Sequence, residues 1–373
     1  MTELDSMKTL WISPIHNHYK ASFLNRLAMD QGIDLWVLAG SAMRELGHGR
    51  YQGDENFQRI DIQADKKNFG FRWPVFTTLF HLISEQRFNF VMVPTELKYL
   101  PLIVFAFVLK LFYRFKLISY SHPIIGTQVV EPRQKRLAKF LFWFYDLVIF
   151  YTWKSRDRAL THGLVPERKA FAANNTLNTI DIWQHYQFEI NNDRPMTLLF
   201  IGRLMPNKKL DTLFAYFERL KQELGELRLI IVGDGPLSGL VQETVDKDHD
   251  IQWLGQVTDE ARIADIMRQV HVVFLPGHTG LSIVHAFCYG KPFVAMSNYL
   301  HHPPEIDYLE DGVNGLFLSG EMESDIPRLV SMLSNPGTYE EFCRNAFSSA
   351  QKLSVQKWCE DIHAALSSEV EKS

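Results

Sequence analysis

The sequence has few cysteines and no long uninterrupted apolar segment. Its 373 residues include only three cysteines, and their spacing fits neither a disulfide framework nor a zinc site. The N-terminus has no basic segment followed by a long apolar core, so we expect no secretory signal. The longest apolar stretch, from Leu100, is interrupted by Lys110 and Arg114 and is too short to cross a bilayer. We therefore expect a cytoplasmic protein without a transmembrane helix.

Glycine-rich nucleotide motifs are also absent. No Gly-x-Gly-x-x-Gly sequence and no Walker loop opens either half of the chain, which argues against a nicotinamide site and against a P-loop NTPase. Hydrophobic residues make up 46% and charged residues 22%, the composition of an ordinary folded protein without repeats. A chain of 373 residues exceeds what one hydrophobic core usually supports, so we expect two domains.

Short apolar runs alternate with helical segments along the whole chain. This alternation predicts βαβ units and parallel sheets, and the polar segment 181–195 interrupts it. We predict two Rossmann-like domains, an N-terminal one over 1–185 and a C-terminal one over 186–355. The last segment, 356–373, is predicted to be an amphipathic helix that packs back on the first domain.

The net charge of −4 hides an asymmetry between the two halves. Residues 1–185 carry a balance of +7, and the rest of the chain carries −11. Much of the positive charge lies beside the aromatic run KFLFWFYDLVIF, at 139–150. Such a segment either docks on anionic lipid headgroups or packs its aromatics into the core, and periodicity does not separate the two. A nucleic-acid partner is not expected, because no recognised module accompanies the charge.

Two loops that follow predicted strands carry charge or glycine. GRLMPNKKLD, at 202–211, places Arg203, Lys208 and Lys209 where cations could meet a diphosphate, although a solvated basic turn is the alternative. VGDGP, at 232–236, is a tight turn whose glycines would let the backbone approach a ligand. Taken alone, this second motif is equally consistent with a plain connecting turn.

A third segment, FLPGHTGLSIVHAFCYG at 274–290, is an apolar strand that breaks and continues as a helix from about Thr279. The first N–H groups of a helix have no internal partner, so such a turn can seat an anion. The alternative is a capped core helix with one hydrogen-bonded histidine, His285. Because strand-turn-helix joints occur in every α/β protein, this motif alone does not decide between them.

As a series, these motifs closely resemble the nucleotide-sugar half of glycosyltransferase family 4. The series is GRL, KK, IIVGDGP, WLG, FLPG, GLSIVHAFCYGKP and PPEI, followed by DGVNGLF, over about 196–320. SYSHP and the segment YTWKSRDRALTHGLVPERKAFAANNTLNT extend the resemblance more weakly to about 117. It implies an α/β fold of two Rossmann-like domains facing across a cleft, called GT-B. It also implies sugar transfer from a nucleotide-diphosphate donor with retention, without a metal ion or other cofactor.

The resemblance also implies which residues form the site. Arg203 and Lys208 would bind the donor diphosphate, and His122 would contact the sugar from the opposite domain. The remaining donor-binding candidates are Gly202, Lys209, Gly233, Asp234, Gly235, Val257, His278, Thr279, Gly280, Leu281, Ser282, His285 and Glu305. For Glu305, a glutamate in the first turn of a helix is the alternative. The acceptor candidates are His16, His18 and Lys20, for which the alternative is an ordinary surface loop.

One departure from the family pattern concerns a pair of glutamates separated by seven residues. Gly277 and His285 stand at these two positions, so both carboxylates are missing. In relatives they support the sugar hydroxyls and the ribose. His285 can still exchange a hydrogen bond with a ribose, and we keep it as a binding residue.

Three functions compete. The first is a bacterial-type glycosyltransferase acting on a glycan or lipid-linked saccharide at the inner face of the plasma membrane, in cell-surface polysaccharide or glycolipid synthesis. The second is a degenerate GT-B protein that binds nucleotide-sugar or glycan without turnover. The third, a sugar-nucleotide 2-epimerase, is disfavoured because it needs carboxylates at positions 277 and 285.

Overall fold

The computed structural model describes residues 7–14, 16, 18–30, 32–40, 55–63, 69–121, 132–192, 195–299 and 301–371. They divide into two compact units. One unit comprises the chain up to Asn178 together with the segment from Val355, and the other comprises Thr179–Ser354.

The first unit is built on a parallel sheet of seven strands in the order β3-β2-β1-β4-β5-β6-β7. The strands are β1 (Thr9–Ser13), β2 (Leu35–Ala39), β3 (Gln58–Asp61), β4 (Phe90–Met92), β5 (Lys116–Ser121), β6 (Leu147–Phe150) and β7 (Ala170–Ala172). The inner strands are apolar because helices cover both faces of a parallel sheet. The strand β3, sequence QRID, lies at the edge, and the sequence did not predict it because Ile60 is its only apolar residue.

The helices of the first unit are α1 (His18–Asp30), α2 (Trp73–Gln86), α3 (Leu100–Tyr113), α4 (Pro132–Trp143), α5 (Trp153–Thr161) and α13 (Val355–Val370). The C-terminal helix α13 packs on α1. Its Trp358 is buried among Trp11, Phe23 and Tyr120, and its indole N–H donates to the Tyr120 hydroxyl at 2.8 Å. This aromatic cluster makes the end of the chain part of the first unit.

The second unit has a parallel sheet of six strands in the order β10-β9-β8-β11-β12-β13. The strands are β8 (Met196–Ile201), β9 (Leu227–Val232), β10 (Ile251–Trp253), β11 (Val272–Phe274), β12 (Phe293–Met296) and β13 (Gly315–Leu318). Its helices are α6 (Thr179–His185), α7 (Leu210–Leu224), α8 (Ser238–Val245), α9 (Glu260–Gln269), α10 (Ser282–Cys288), α11 (Met322–Ser334) and α12 (Pro336–Lys352).

The boundary between the units lies seven residues before the predicted one. The sequence placed it after 185, inside a polar linker, but residues 179–185 form helix α6, which packs against α9 and α10 of the second unit. Trp183 fixes this helix, because its indole N–H donates to the Cys288 carbonyl at 3.1 Å. The structure therefore places the boundary at 178/179.

Both sheets are doubly wound, as the alternating pattern predicted. In the second sheet the order reverses between β8 and β11, and in such folds ligands bind beyond the carboxyl ends of the strands at that point. We therefore expect a ligand-binding site at the loops that follow β8, β9, β10 and β11. Within the described residues, no helix is long and apolar enough to cross a membrane. All three cysteines lie in the described part of the chain, where they are buried and form no disulfide bond.

Candidate functional site

The loops after β8, β9 and β10 lie directly against one another. The Gly202 N–H donates to the Val232 carbonyl at 2.9 Å, and the Gly233 N–H donates to the Gly255 carbonyl at 2.8 Å. A Cβ atom on Gly233, whose φ is +141°, would lie 1.9 Å from the Gly202 carbonyl oxygen. Only glycine allows this approach, so backbone rather than side chains forms this end of the sheet.

The loops at 206–209 and 276–279 are joined in the same way. The Gly277 N–H donates to the Lys208 carbonyl at 3.2 Å, and the His278 N–H donates to the Asn207 carbonyl at 3.0 Å. A Cβ atom on Gly277 would lie 2.1 Å from the Asn207 carbonyl oxygen. The position where relatives carry their first glutamate therefore has no room for any side chain unless the two loops separate.

Lys208 is the buried cation of this arrangement. Its Nζ donates to the His278 carbonyl at 2.5 Å, and no described carboxylate forms an ion pair with it. Burial lowers the pKa of Lys208 to about 8. The neighbouring Lys209 is exposed, has a left-handed backbone with φ of 58° and lines a cavity of about 730 Å³ beside Tyr299 and His301. The sequence could not rank these two lysines, whereas the structure separates them by burial.

Two histidines and a threonine lie near the Lys208 ammonium. Burial and the charges of Lys208 and His302 lower the pKa of His278 to about 4. His302 donates from Nε2 to the Met296 carbonyl at 2.8 Å, and its buried Nδ1 has no hydrogen-bond partner among the described residues. The buried Thr279 hydroxyl also lacks a partner there. An anion here could accept from the Lys208 ammonium and the Thr279 hydroxyl, and its charge would offset that of the buried lysine.

The histidine in α10 has a carboxylate partner on the neighbouring helix. His285 Nε2 lies 2.8 Å from Glu260 Oε1, and the Tyr289 hydroxyl donates to the same oxygen at 2.5 Å. Burial alone would raise the pKa of Glu260, but the charge and hydrogen bond of His285 hold it below its usual range. A carboxylate is thus present beside position 285, but it belongs to α9 and not to α10.

Other predicted donor residues have mainly local roles. The Asp234 carboxylate accepts from the Gly235 N–H at 2.7 Å and from the Ser238 hydroxyl at 2.5 Å, which stabilises the turn before α8. The Ser282 hydroxyl donates to the Ile201 carbonyl at 3.4 Å. Asp234 therefore acts within its turn, as the connecting-turn interpretation expects.

The helix at this site is shorter than predicted. It begins at Ser282 and not near Thr279, because Gly280 adopts a left-handed turn with φ of +61° and Leu281 caps the helix. No heavy atom lies within 4 Å of a Cβ built on Gly280, so its backbone faces open space. Val257 is half-buried in the loop before α9, and Arg203 is half-buried after β8. Glu305 is 5% exposed in the turn that follows His302.

The acceptor candidates are less well defined. His16 is 4% exposed and lies 3.4 Å from Glu55, and burial followed by the charge of Arg59 lowers its pKa. It is therefore an internal residue and not an open loop residue. His18 begins α1 but its side chain lies outside the described part of the chain, Lys20 is half-buried in α1, and His122 lies outside the described residues altogether.

The sequence motifs pointed to neither Glu260 nor His302. Glu260 is separated from His285 by 25 residues, so no local spacing reveals the pair. His302 carried a signal in HHPPE, directly before Glu305. Among the described residues, no group of three or more His, Cys, Asp or Glu side chains could hold a metal ion.

Comparisons with known proteins agree with this architecture. Residues 195–335 match the family model described as glycosyl transferases group 1. The alpha-monoglucosyldiacylglycerol synthase of Acholeplasma laidlawii is 23% identical over 181 residues, which are 47% of this chain. The match covers only 42% of that relative's length.

Solved structures show the same fold over nearly the whole chain. Sucrose-phosphate synthase from Thermosynechococcus elongatus has a TM-score of 0.73 at 14% identity and covers 99% of this chain and all of its own. Anabaena HepE in complex with UDP has a TM-score of 0.69 at 15% identity, covering 97% of this chain and all of its own. The fold is therefore that of the GT-B glycosyltransferases, and residues 195–335 are similar to the group 1 glycosyl transferases. The resemblance in the spaced motifs is confirmed at this level.

Proposed function

We propose that this protein transfers a sugar from a nucleotide-diphosphate donor, UDP- or GDP-linked, to a glycan or lipid-linked saccharide. The observation that carries the proposal is the buried Lys208 at the carboxyl ends of the second sheet, which has polar neighbours but no anionic partner among the described residues. A diphosphate supplies the missing anion. Gly280, in the loop after β11, has no heavy atom within 4 Å of a Cβ built on it, so a ligand can approach its backbone without meeting a side chain.

The chemistry that this arrangement supports is stabilisation of a leaving diphosphate. Departure of the nucleotide develops negative charge on its terminal oxygens, and fixed cations lower the barrier where that charge develops. We assign this role to Lys208 and Arg203, with the Thr279 hydroxyl as a hydrogen-bond donor to the anion. Metal independence and retention of configuration are part of the proposal, and sugar contact by His122 stays a prediction. Unchanged turnover after chelation of divalent ions would support metal independence.

We further propose that Glu260 binds the ribose hydroxyls of the donor. His285 and Tyr289 both form hydrogen bonds with Oε1 of Glu260, and 26% of the Glu260 side chain is still exposed. A carboxylate can accept from two neighbouring hydroxyl groups, whereas a histidine offers only one acceptor when neutral. Glu260 of α9 would thus take the place of the glutamate that is missing from α10, and His285 would hold the Glu260 carboxylate in position.

The comparisons bear on donor and acceptor. The HepE structures contain UDP, UDP and glucose, or UDP-glucose, which favours a UDP-linked donor. The matched curated relative is named as a glucosyldiacylglycerol synthase, which favours a lipid acceptor and glycolipid synthesis. We propose that the protein works on the cytoplasmic face of the plasma membrane, and we propose no nucleic-acid partner.

A second candidate is a binding protein without turnover. The specific observation in its favour is Gly277, because the tight contact with Asn207 leaves no room for the carboxylate found in relatives. Such a protein would bind nucleotide-sugar and not cleave it.

The test is a panel of UDP-, GDP- and ADP-sugars, measured first for binding and then for hydrolysis or transfer. Binding and cleavage of one donor are the expected result. If a donor binds without cleavage in the presence of lipid and glycan acceptors, the binding protein is favoured. If no donor binds, both candidates are wrong.

A further inference from the structure

Helix α3 leaves an apolar stripe facing solvent. Its sequence, LPLIVFAFVLKLFY, is apolar nearly all round, and a helix of that composition is normally buried on every side. Leu102, Ile103, Ala106 and Leu109 do pack into the core. The opposite side, however, exposes 65% of Leu111 and 75% of Phe112, together with Val104 and Val108.

The helices on either side of α3 continue this stripe. Phe80 of α2 contacts Tyr113 of α3, and Trp143 of α4 contacts Phe107 of α3 with ring centroids 5.4 Å apart. The exposed side chains of this surface, which we call the aromatic face, are Phe71, Trp73, Leu111, Phe112, Phe140 and Trp143. Trp73 and Trp143 are 77% and 64% exposed. Exposed apolar groups scattered singly are ordinary, but a contiguous group of this kind marks a binding surface.

The charges around the aromatic face are almost all positive. Residues 72–87, 100–114 and 132–143 contain eight Lys or Arg residues against one acidic residue, Glu85. One of the eight, Lys110, pairs with Asp146. Arg114, Arg136 and Lys139 are exposed. Aromatic and apolar groups with a basic surround are the chemistry that fits an anionic bilayer surface.

We propose that the aromatic face docks this protein on an anionic phospholipid membrane. The aromatic and leucine side chains would enter the headgroup region, where indole rings are favoured, and the basic residues would contact lipid phosphates. A protein partner or a second copy of the chain fits less well, because a cationic surface does not complement itself. Docking rests on the membrane contact of the proposed function, and the aromatic face is the surface that would make this contact. It does not depend on which sugar is transferred.

The experiment is co-sedimentation of the full chain with vesicles of phosphatidylcholine alone or with phosphatidylglycerol added. We expect binding to the anionic vesicles, weakened by salt. Leu111→Ser/Phe112→Ser and Arg136→Glu/Lys139→Glu should each weaken partitioning by about tenfold or more. The matched controls are Met29→Ser/Val313→Ser and Lys247→Glu/Lys352→Glu, which make the same kinds of change at exposed sites outside helices α2, α3 and α4.

Each variant is also checked for its melting temperature and for UDP binding, which shows whether the second unit is intact. Vesicle binding lost in the aromatic-face variants and kept in the controls supports the proposal. Absence of vesicle binding, equal binding to neutral vesicles, or equal loss in the controls would overturn it. Self-association abolished by Leu111→Ser/Phe112→Ser, without vesicle binding, would instead identify a second copy as the partner. None of these results depends on turnover, so failure here is distinct from failure of the proposed function.

Discussion

The two units are built on the same plan but present different surfaces. Each has a doubly wound parallel sheet, of seven strands in the first and six in the second. The second unit holds its loops together through glycine contacts at Gly233 and Gly277 and buries a lysine among them. The first unit instead leaves apolar helix surface exposed at α3 and α4. The same fold can therefore provide a site for a small anion in one unit and a broad docking surface in the other.

The two units also differ in where their positive charge lies. The acidic half contains the buried cation, so an anion bound there would be held by local contacts and not by the net charge of its domain. The basic half carries its charge on exposed helices, where it acts at a distance and is screened by salt. Substitutions in one unit should consequently leave the function of the other unaffected.

The largest effect is expected for Trp358→Ala in the first unit. Trp358 fills the cluster with Trp11, Phe23 and Tyr120, so its removal leaves a cavity and should lower the free energy of unfolding by about 3–5 kcal/mol. Urea titration measures the loss. Under native conditions the UDP affinity should change less than about twofold, because the site lies in the second unit. A parallel loss of UDP affinity would show that the units are not independent.

The second-largest effect is expected when the buried cation is removed. Lys208→Ala should reduce kcat/KM by a factor on the order of 10²–10³, because a fixed donor to the leaving diphosphate is lost. Lys209→Ala is the matched control, since Lys209 is adjacent but exposed, and its effect should be much smaller. Steady-state kinetics with the donor identified in the panel gives both values. Equal losses in the two variants would contradict the distinction between the lysines.

A smaller effect is expected when the loop contact in the second unit is disturbed. Gly277→Ala places a methyl group against the Asn207 carbonyl and should cost about 1–3 kcal/mol of stability, with weaker donor binding. Gly239→Ala is the control, because no atom lies within 4 Å of a Cβ built there and alanine favours helix α8. Chemical denaturation compares the two. If Gly277→Ala were as stable as the parent, the loops would be less constrained than their contact indicates.

Glu260→Gln should weaken UDP binding by about tenfold, because an amide is a poorer acceptor for the ribose hydroxyls. Glu243→Gln is the control, as it makes the same change at an exposed site on α8. Calorimetric titration with UDP and with its 2′,3′-dideoxy analogue tests the assignment. The parent should prefer UDP and Glu260→Gln should lose that preference. An unchanged preference in Glu260→Gln would exclude ribose recognition by this carboxylate.

The smallest effect concerns pH. The pKa of Lys208 is about 8, so its charged fraction falls about fourfold between about pH 7 and about pH 8.5. UDP affinity should fall by up to the same factor, because the diphosphate binds the ammonium form. His278, whose pKa is lowered to about 4, stays neutral throughout this range. Lys208→Arg, which keeps its charge, should abolish the dependence if it still binds UDP, and a pH-dependent affinity in that variant would point to another group.

Local patterns of apolar and polar residues predicted much of the fold. Apolar runs such as MTLLFI predicted the central strands because both faces of a parallel sheet are covered, whereas QRID gave no such signal at the sheet edge. Helix α6 was mistaken for a linker because it is only seven residues long and is followed by a polar segment, and its place in the second unit depends on packing against α9 and α10. The start of α10 moved to Ser282 because a left-handed glycine turn precedes it.

The sequence by itself determined the charge asymmetry and most of the order of strands and helices, with β3 and α6 as the exceptions. Each depends on residues close together in the chain, and periodicity reports such relations directly. The tertiary structure decided that Lys208 is buried and Lys209 exposed, that Gly277 has no room for a carboxylate, and that Glu260 lies beside His285. These facts depend on contacts between loops and helices far apart in sequence, whose distances exist only after the strands have paired.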